Sequence, residues 1–245
     1  MDSAKKFDMD KYKDVLEYVS NKIKIKNFNL TGGEPTLNYD KFKKVFDMSN
    51  DILDKKVNIT INTNGINLDR IVDDEDIIER VDSISLSRHH YIDKKNNDIF
   101  ETDIISNKEI KKIQKKIKNK DILNFTCNLI KGQIDNKYDV YKYLDVASNL
   151  GIKQVGFVSL MPINDYCDDS FVNFNRLGLK SELFTMTKEF KYKNICRCNN
   201  YVYISEESGN MVRVYYKNTY SPDDVDILIY DGQNLSNGFN SDIIY

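Results

Sequence analysis

The residues best suited to chemistry fall in short clusters. Thr31-Gly32-Gly33-Glu34-Pro35 sets two adjacent glycines beside a carboxylate and a proline. Without side chains, the glycines let backbone N–H and C=O groups approach a ligand closely, and Glu34 adds negative charge, so the segment suits an ammonium group. Standing alone, the same residues read equally well as a turn before a helix. Four further clusters follow: Asn62-Thr63-Asn64-Gly65, Ser85-Leu86-Ser87-Arg88-His89-His90, Cys127-Asn128 with Lys131-Gly132, and Met161-Pro162. Arg88 offers a planar donor fork that matches carboxylates. His89 and His90 are the only histidines and have no companion at metal-ligand or triad spacing, so a surface or substrate-loop role is expected. Ser85 and Ser87 read equally as a half-buried strand face, and Cys127 as an ordinary small residue of a buried strand.

Regular elements must position these clusters. Tyr12, Val15, Leu16, Val19 and Ile23 recur three or four apart and predict a helix over Met9–Ile23. A strand over Ile25–Leu30 follows and stops at Gly32-Gly33. The unit then repeats: helix Phe42–Leu53, strand Val57–Asn62, helix Leu68–Val81, strand Ser83–Ser87, helix Asn107–Lys118, strand Leu123–Ile130, helix Asp139–Leu150, strand Gln154–Leu160. Such alternation implies a parallel sheet, either an open doubly wound one or a full or partial barrel. In both architectures ligands bind at the carboxyl ends of the strands, where every cluster above lies. Beyond Pro162 the pattern changes to a helix near Leu179–Phe190 and two Tyr/Val-rich strands, Tyr201–Ser205 and Met211–Tyr216, joined by Ser208-Gly209-Asn210. Ser221–Tyr245 shows no clear periodicity.

Composition bounds the function. The 245 residues suffice for one sizeable α/β core with a small appendage. The 36 basic and 38 acidic residues nearly cancel and are interleaved, so no field for nucleic acid or anionic lipid emerges. No apolar run is long enough to span a membrane, and a cytoplasmic protein is expected. The four cysteines (Cys127, Cys167, Cys196, Cys198) are too sparse for a disulfide framework, which leaves reduced thiols or metal ligands.

Taken together, Leu30-Thr31-Gly32-Gly33-Glu34-Pro35, Asn62-Thr63-Asn64-Gly65 and Leu160-Met161-Pro162 resemble the radical S-adenosylmethionine (SAM) superfamily, and most nearly its cyclic pyranopterin synthase branch, which serves molybdenum-cofactor biosynthesis. The resemblance runs from about Lys24 to Pro162. It implies a partial (βα)6 TIM-like barrel over residues 1–162, with a C-terminal α+β extension carrying a β-hairpin over 163–245. It also implies that Gly32, Gly33, Glu34 and Pro35 receive the SAM amino group, that Thr63 and Asn64 belong to the cofactor site, that Ser85, Ser87 and Arg88 reach the ribose and carboxylate, that Asn128 contacts SAM, and that Met161 lies near the adenine. Intact relatives cleave SAM reductively to a 5′-deoxyadenosyl radical that abstracts hydrogen from a peptide or small molecule.

That chemistry needs a [4Fe–4S] cluster on a Cys-x3-Cys-x2-Cys loop after the first strand, and this sequence contains no such loop. The expectation is therefore a barrel lacking its first strand and cluster loop, inactive as it stands, with no catalytic residue of its own. Its bare edge at Ile25–Leu30 would favour self-association. Relatives often carry auxiliary clusters after the barrel, which makes Cys167, Cys196 and Cys198 candidate ligands. Two rivals stand beside this reading: a noncatalytic nucleotide- or peptide-binding module on the same scaffold, and an ordinary α/β enzyme using Glu34 as acid or base.

Overall fold

In the computed structural model, which describes residues 7–179, 182–187, 198–219 and 227–237, helices alternate with strands as far as β5. Helix α1 (Met9–Lys22) starts at Asp8, whose carboxylate accepts the Asp10 and Lys11 N–H groups, and it buries Tyr12, Val15, Leu16 and Val19. The series continues with β1 (Asn27–Leu30), α2 (Tyr39–Ile52), β2 (Asn58–Thr63), α3 (Leu68–Asp73), α4 (Glu75–Arg80), β3 (Ser83–Ser87) and α5 (Asp93–Phe100). It then runs through α6 (Asn107–Lys116), β4 (Leu123–Leu129), α7 (Lys137–Asn149), β5 (Gln154–Ser159) and the short α8 (Asp165–Asp169). Strands β6 (Phe184–Met186), β7 (Asn199–Ile204), β8 (Met211–Lys217), β9 (Leu228–Tyr230) and β10 (Leu235–Asn237) complete it.

One sheet holds eight strands in the order β1-β2-β3-β4-β5-β8-β7-β6. Pairing is parallel from β1 through β5 to β8, and antiparallel only between β8, β7 and β6. The fold is thus mixed α/β with a mostly parallel sheet. Strands β1 to β5 follow in sequence without the reversal a doubly wound sheet requires. Right-handed crossovers then put the connecting helices on one face and leave the other uncovered. Residue parity agrees. In β2, Ile59, Ile61 and Thr63 are buried, while Asn58 is exposed and Thr60 and Asn62 are half-buried.

Several sequence expectations change. Leu68–Val81 is two helices, because Asp74 is extended and turns its carboxylate onto the Ile77 N–H to cap α4. Helix α5 has no apolar stripe in its sequence and went unpredicted. Where a helix was expected over Leu179–Phe190, the described residues contain strand β6, paired antiparallel to β7. Phe184 of β6 stacks on Tyr201 with ring centroids 4.9 Å apart, and Phe174 stacks on Tyr216 at the same separation. These rings join the same core as α2 and β1–β5. The described part of Ser221–Tyr245 is the β9–β10 ribbon. Leu235 packs on Val15 and Val19 of α1, and Tyr230 lies 5.7 Å from the Tyr12 ring. No helix among the described residues is long and apolar enough to cross a membrane.

Candidate functional site

At the end of β1, Gly32 has φ +144°, and a Cβ added at Gly32 or Gly33 would meet nothing within 4 Å. Both glycines are exposed, so their backbone is open to a ligand. Glu34 does something different from the expected ammonium contact. Its Oε1 accepts from the Thr36 N–H (2.9 Å), the Thr36 hydroxyl (2.5 Å) and the Thr63 hydroxyl (2.8 Å), and its Oε2 accepts the Asn64 N–H (2.6 Å). Four donors occupy the carboxylate, which stitches the loop after β1 to the end of β2. Thr36, absent from the sequence reading, belongs to this tie. Gly65 closes it: φ is +90°, and a Cβ would lie 2.4 Å from Ile105 Cγ2.

At the end of β3 the structure corrects the role expected for Arg88. Its side chain is 1% exposed, and its guanidinium donates to the Ile105 carbonyl (2.7 Å), Asp93 Oδ1 (2.7 Å) and Asn107 Oδ1 (2.8 Å). Arg88 organises the loop from inside and holds no free fork for a ligand carboxylate. The parity was readable: Arg88 continues the alternation of buried Ile84 and Leu86, whereas His89 continues Ser83, Ser85 and Ser87. Asn96, fully buried in α5, accepts the backbone N–H groups of His89 (2.8 Å) and His90 (3.0 Å) and donates to the His90 carbonyl. No sequence signal marked Asn96.

The uncovered face is polar. Strands β1 to β4 contain no charged residue. Their register sets Asn62 beside Ser85, Ser85 beside Asn124, and Ser87 beside Thr126, which lies beside Gly156 and then Tyr215. Ser85 shares a hydrogen bond with Thr126 (2.6 Å), and Asn124 donates to Ser83 (2.6 Å). Asn128 lies half-buried at the end of β4 and Met161 half-buried just after β5. Thus Asn64, Ser85, Ser87 and Asn128 belong to neighbouring strand ends, while Arg88 and the Thr63 side chain turn to the helix side.

A family model for the radical SAM superfamily matches residues 2–145, more than half of the chain. The chain belongs to the radical SAM superfamily. No curated protein matches this radical SAM domain. Two solved structures are similar to it: Streptococcus suis SuiB, at 15% identity and TM-score 0.40, and SuiB bound to its precursor peptide SuiA, at 15% identity and TM-score 0.41. They cover 57% and 61% of this chain, which spans only 31% and 32% of theirs.

The superfamily uses SAM and a [4Fe–4S] cluster, and the residues present fit these unequally. The bare Gly32–Gly33 backbone leaves room for a SAM amino group. The cysteines do not fit a cluster. Cys127 is fully buried on the helix side, where burial pushes its thiol far up, and Cys167 is buried in α8. Cys198 is in a disulfide, contrary to the expectation of reduced thiols or metal ligands, and Cys196 lies outside the described residues. Among the described residues, no three His, Cys, Asp or Glu side chains gather as a metal site. Both histidines of this radical SAM domain are pushed down to about 4, chiefly by burial.

Proposed function

We propose that this radical SAM domain binds SAM, which intact relatives cleave for C–H activation on a peptide or small molecule, across the carboxyl ends of β1 to β4, and that without a cluster ligand set it is inactive as it stands. The carrying observation is the pair of open glycines on a loop that Glu34 locks to β2, beside a face of uncharged hydrogen-bonding side chains. In this reading the backbone of Gly32, Gly33 and Pro35 accepts the ligand ammonium. Asn64, Ser85, Ser87 and Asn128 supply hydroxyl and amide partners to the sugar, Met161 offers apolar contact to the base, and Thr63, whose hydroxyl is spent on Glu34 and the Gly65 N–H, positions the loop. Glu34 and Arg88 act as positioning residues behind them. In the superfamily, SAM and the cluster supply the radical chemistry. The described residues offer the cluster no ligand set.

The finer placement is part of the same proposal: a partial (βα)6 barrel over 1–162 with an extension over 163–245, in the branch resembling cyclic pyranopterin synthase. Among the described residues strand β1 pairs only with β2, and in this reading its other edge favours self-association. A noncatalytic nucleotide- or peptide-binding module is the second reading, favoured by two sealed cysteines and a third in a disulfide.

Calorimetric titration with S-adenosylhomocysteine tests the binding. The wild-type chain is expected to bind, and Gly33→Ala to keep its circular dichroism while losing affinity, because the added methyl meets ligand rather than protein. No heat from wild-type protein would refute the reading. Iron counting and a 5′-deoxyadenosine assay after anaerobic iron–sulfur reconstitution test the inactivity: neither iron nor product is expected from this chain, and product would overturn the noncatalytic reading.

A further inference from the structure

We infer that His89 is a ligand-positioning residue, whose Nε2–H donates to a hydroxyl or carbonyl oxygen of the molecule bound at the mouth between β3 and β4. The inference rests on the SAM-binding reading above and assigns it a residue outside the resemblance.

His89 continues the Ser83, Ser85, Ser87 parity and so leaves β3 on the uncovered face, at the carboxyl end of the sheet. Its main chain is fixed by Asn96, which accepts its N–H, and by the Cys127 thiol, which lies 3.7 Å from its carbonyl oxygen. The ring is fixed as well. It stacks on Phe100 with centroids 4.9 Å apart and planes 18° apart, and its Nδ1 accepts the Asn128 backbone N–H at 3.1 Å. A nitrogen that accepts a hydrogen bond carries no proton, so the neutral ring must bear its proton on Nε2. Burial and the neighbouring Arg88 charge keep the ring in that neutral form.

The Nε2–H has no protein partner among the described residues, and it is not one of the buried side-chain atoms sealed away without one. His90 likewise accepts a backbone N–H at Nδ1, from Ile92, but it is 1% exposed and follows the buried parity of Ile84, Leu86 and Arg88, away from the uncovered face. A purely structural tie between β3 and β4 accounts for Nδ1 of His89 but leaves its donor unused. A ring held on both face and edge, with one donor to spare, is preorganised for a ligand. Strand spacing sets the size of that ligand. Two steps of roughly 4.8 Å separate β1 from β3, so a molecule touching both the glycine loop and His89 is about 10 Å long, the dimension of an amino acid joined to a nucleoside.

Two measurements on the full chain decide it. Ring 15N spectroscopy should find His89 as the Nε2–H tautomer, protonating near the about 4 set by burial; an Nδ1–H tautomer overturns the assignment. Titration with S-adenosylhomocysteine should then bind His89→Phe about 3- to 10-fold more weakly than wild type, as expected for one lost hydrogen bond. His89→Gln, which keeps an acceptor and a donor, should recover part of the loss, with backbone spectra confirming all three folds. Wild-type binding with undiminished affinity in His89→Phe overturns the His89 role and leaves the SAM reading standing. No binding by wild type removes the SAM reading and this assignment with it.

Discussion

Arg88 Nη2 meets Asp93 Oδ1 at 2.7 Å while its other donors hold the Ile105 carbonyl and Asn107 Oδ1, so one buried guanidinium binds the end of β3 to the starts of α5 and α6. Asp93 remains partly exposed and also accepts the Asn107 N–H at 2.9 Å. Removing the arginine takes this donor from the half-buried Ile105 carbonyl and Asn107 Oδ1.

Arg88→Met should therefore destabilise the fold by about 2 kcal/mol in urea denaturation, as expected when a buried charged donor loses its hydrogen bonds. Arg88→Lys keeps the charge but not the fork, and should lie between the two. Equal stability of Arg88→Met and wild type would show that the guanidinium carries no structural role.

Glu34 predicts a different signature. Glu34→Gln keeps size and one acceptor, but turns an NH2 toward a site where every partner is a donor. A loss of about 1 to 3 kcal/mol is expected. Hydrogen exchange should localise it, with faster exchange at the Asn64 amide that Glu34 Oε2 holds at 2.6 Å. Unchanged Asn64 protection would contradict the tie.

Gly156 and Tyr215 form a third testable pair. They lie side by side in the β5–β8 register, and a Cβ at Gly156 would sit 2.1 Å from Tyr215 Cζ. The tyrosine ring lies over the glycine, so Gly156→Ala should cost about 1 to 3 kcal/mol by overpacking. Adding Tyr215→Ala to that variant should relieve the strain. Additive losses in the thermal denaturation of the double variant would show that the ring is not what excludes the methyl.

Much of this scaffold was legible because apolar residues recur at helical or strand spacing wherever an element faces the core. Strands β1 to β5 and helices α1, α2, α6 and α7 all carry that signal. Helix α5 did not, since its one buried residue in the centre is Asn96, placed there to bind the His89-His90 backbone rather than to pack. The segment around Phe184 has helix-like spacing, yet the aromatic partners Tyr201 and Tyr203 on β7 draw it into the sheet, a tertiary choice no local window contains. At the site, the motifs marked the loops correctly by position, but residue type alone could not say which side chains face a ligand. Glu34 and Arg88 look like ligand groups and are internal ties, because their partners lie 29 and 19 residues away along the chain.

The two histidines make stability depend on pH in a defined direction. Burial holds both at about 4 in the folded chain, against about 6.5 in the unfolded one. Between these values the unfolded state binds more protons, so stability rises with pH there: the contribution is complete above about 6.5 and is lost as pH falls toward 4. Each histidine adds a slope of at most about 1.4 kcal/mol per pH unit. His90 cannot take a second proton without losing the Ile92 N–H that its Nδ1 accepts. Urea midpoints measured from pH 7.5 to 4.5 should therefore fall for wild type. They should fall less for a double variant, His89→Phe with His90→Asn, in which asparagine keeps an acceptor but does not titrate. Carboxylate protonation is common to both proteins, so the difference in slope isolates the histidines, and parallel curves would show that they remain free to protonate in the folded state.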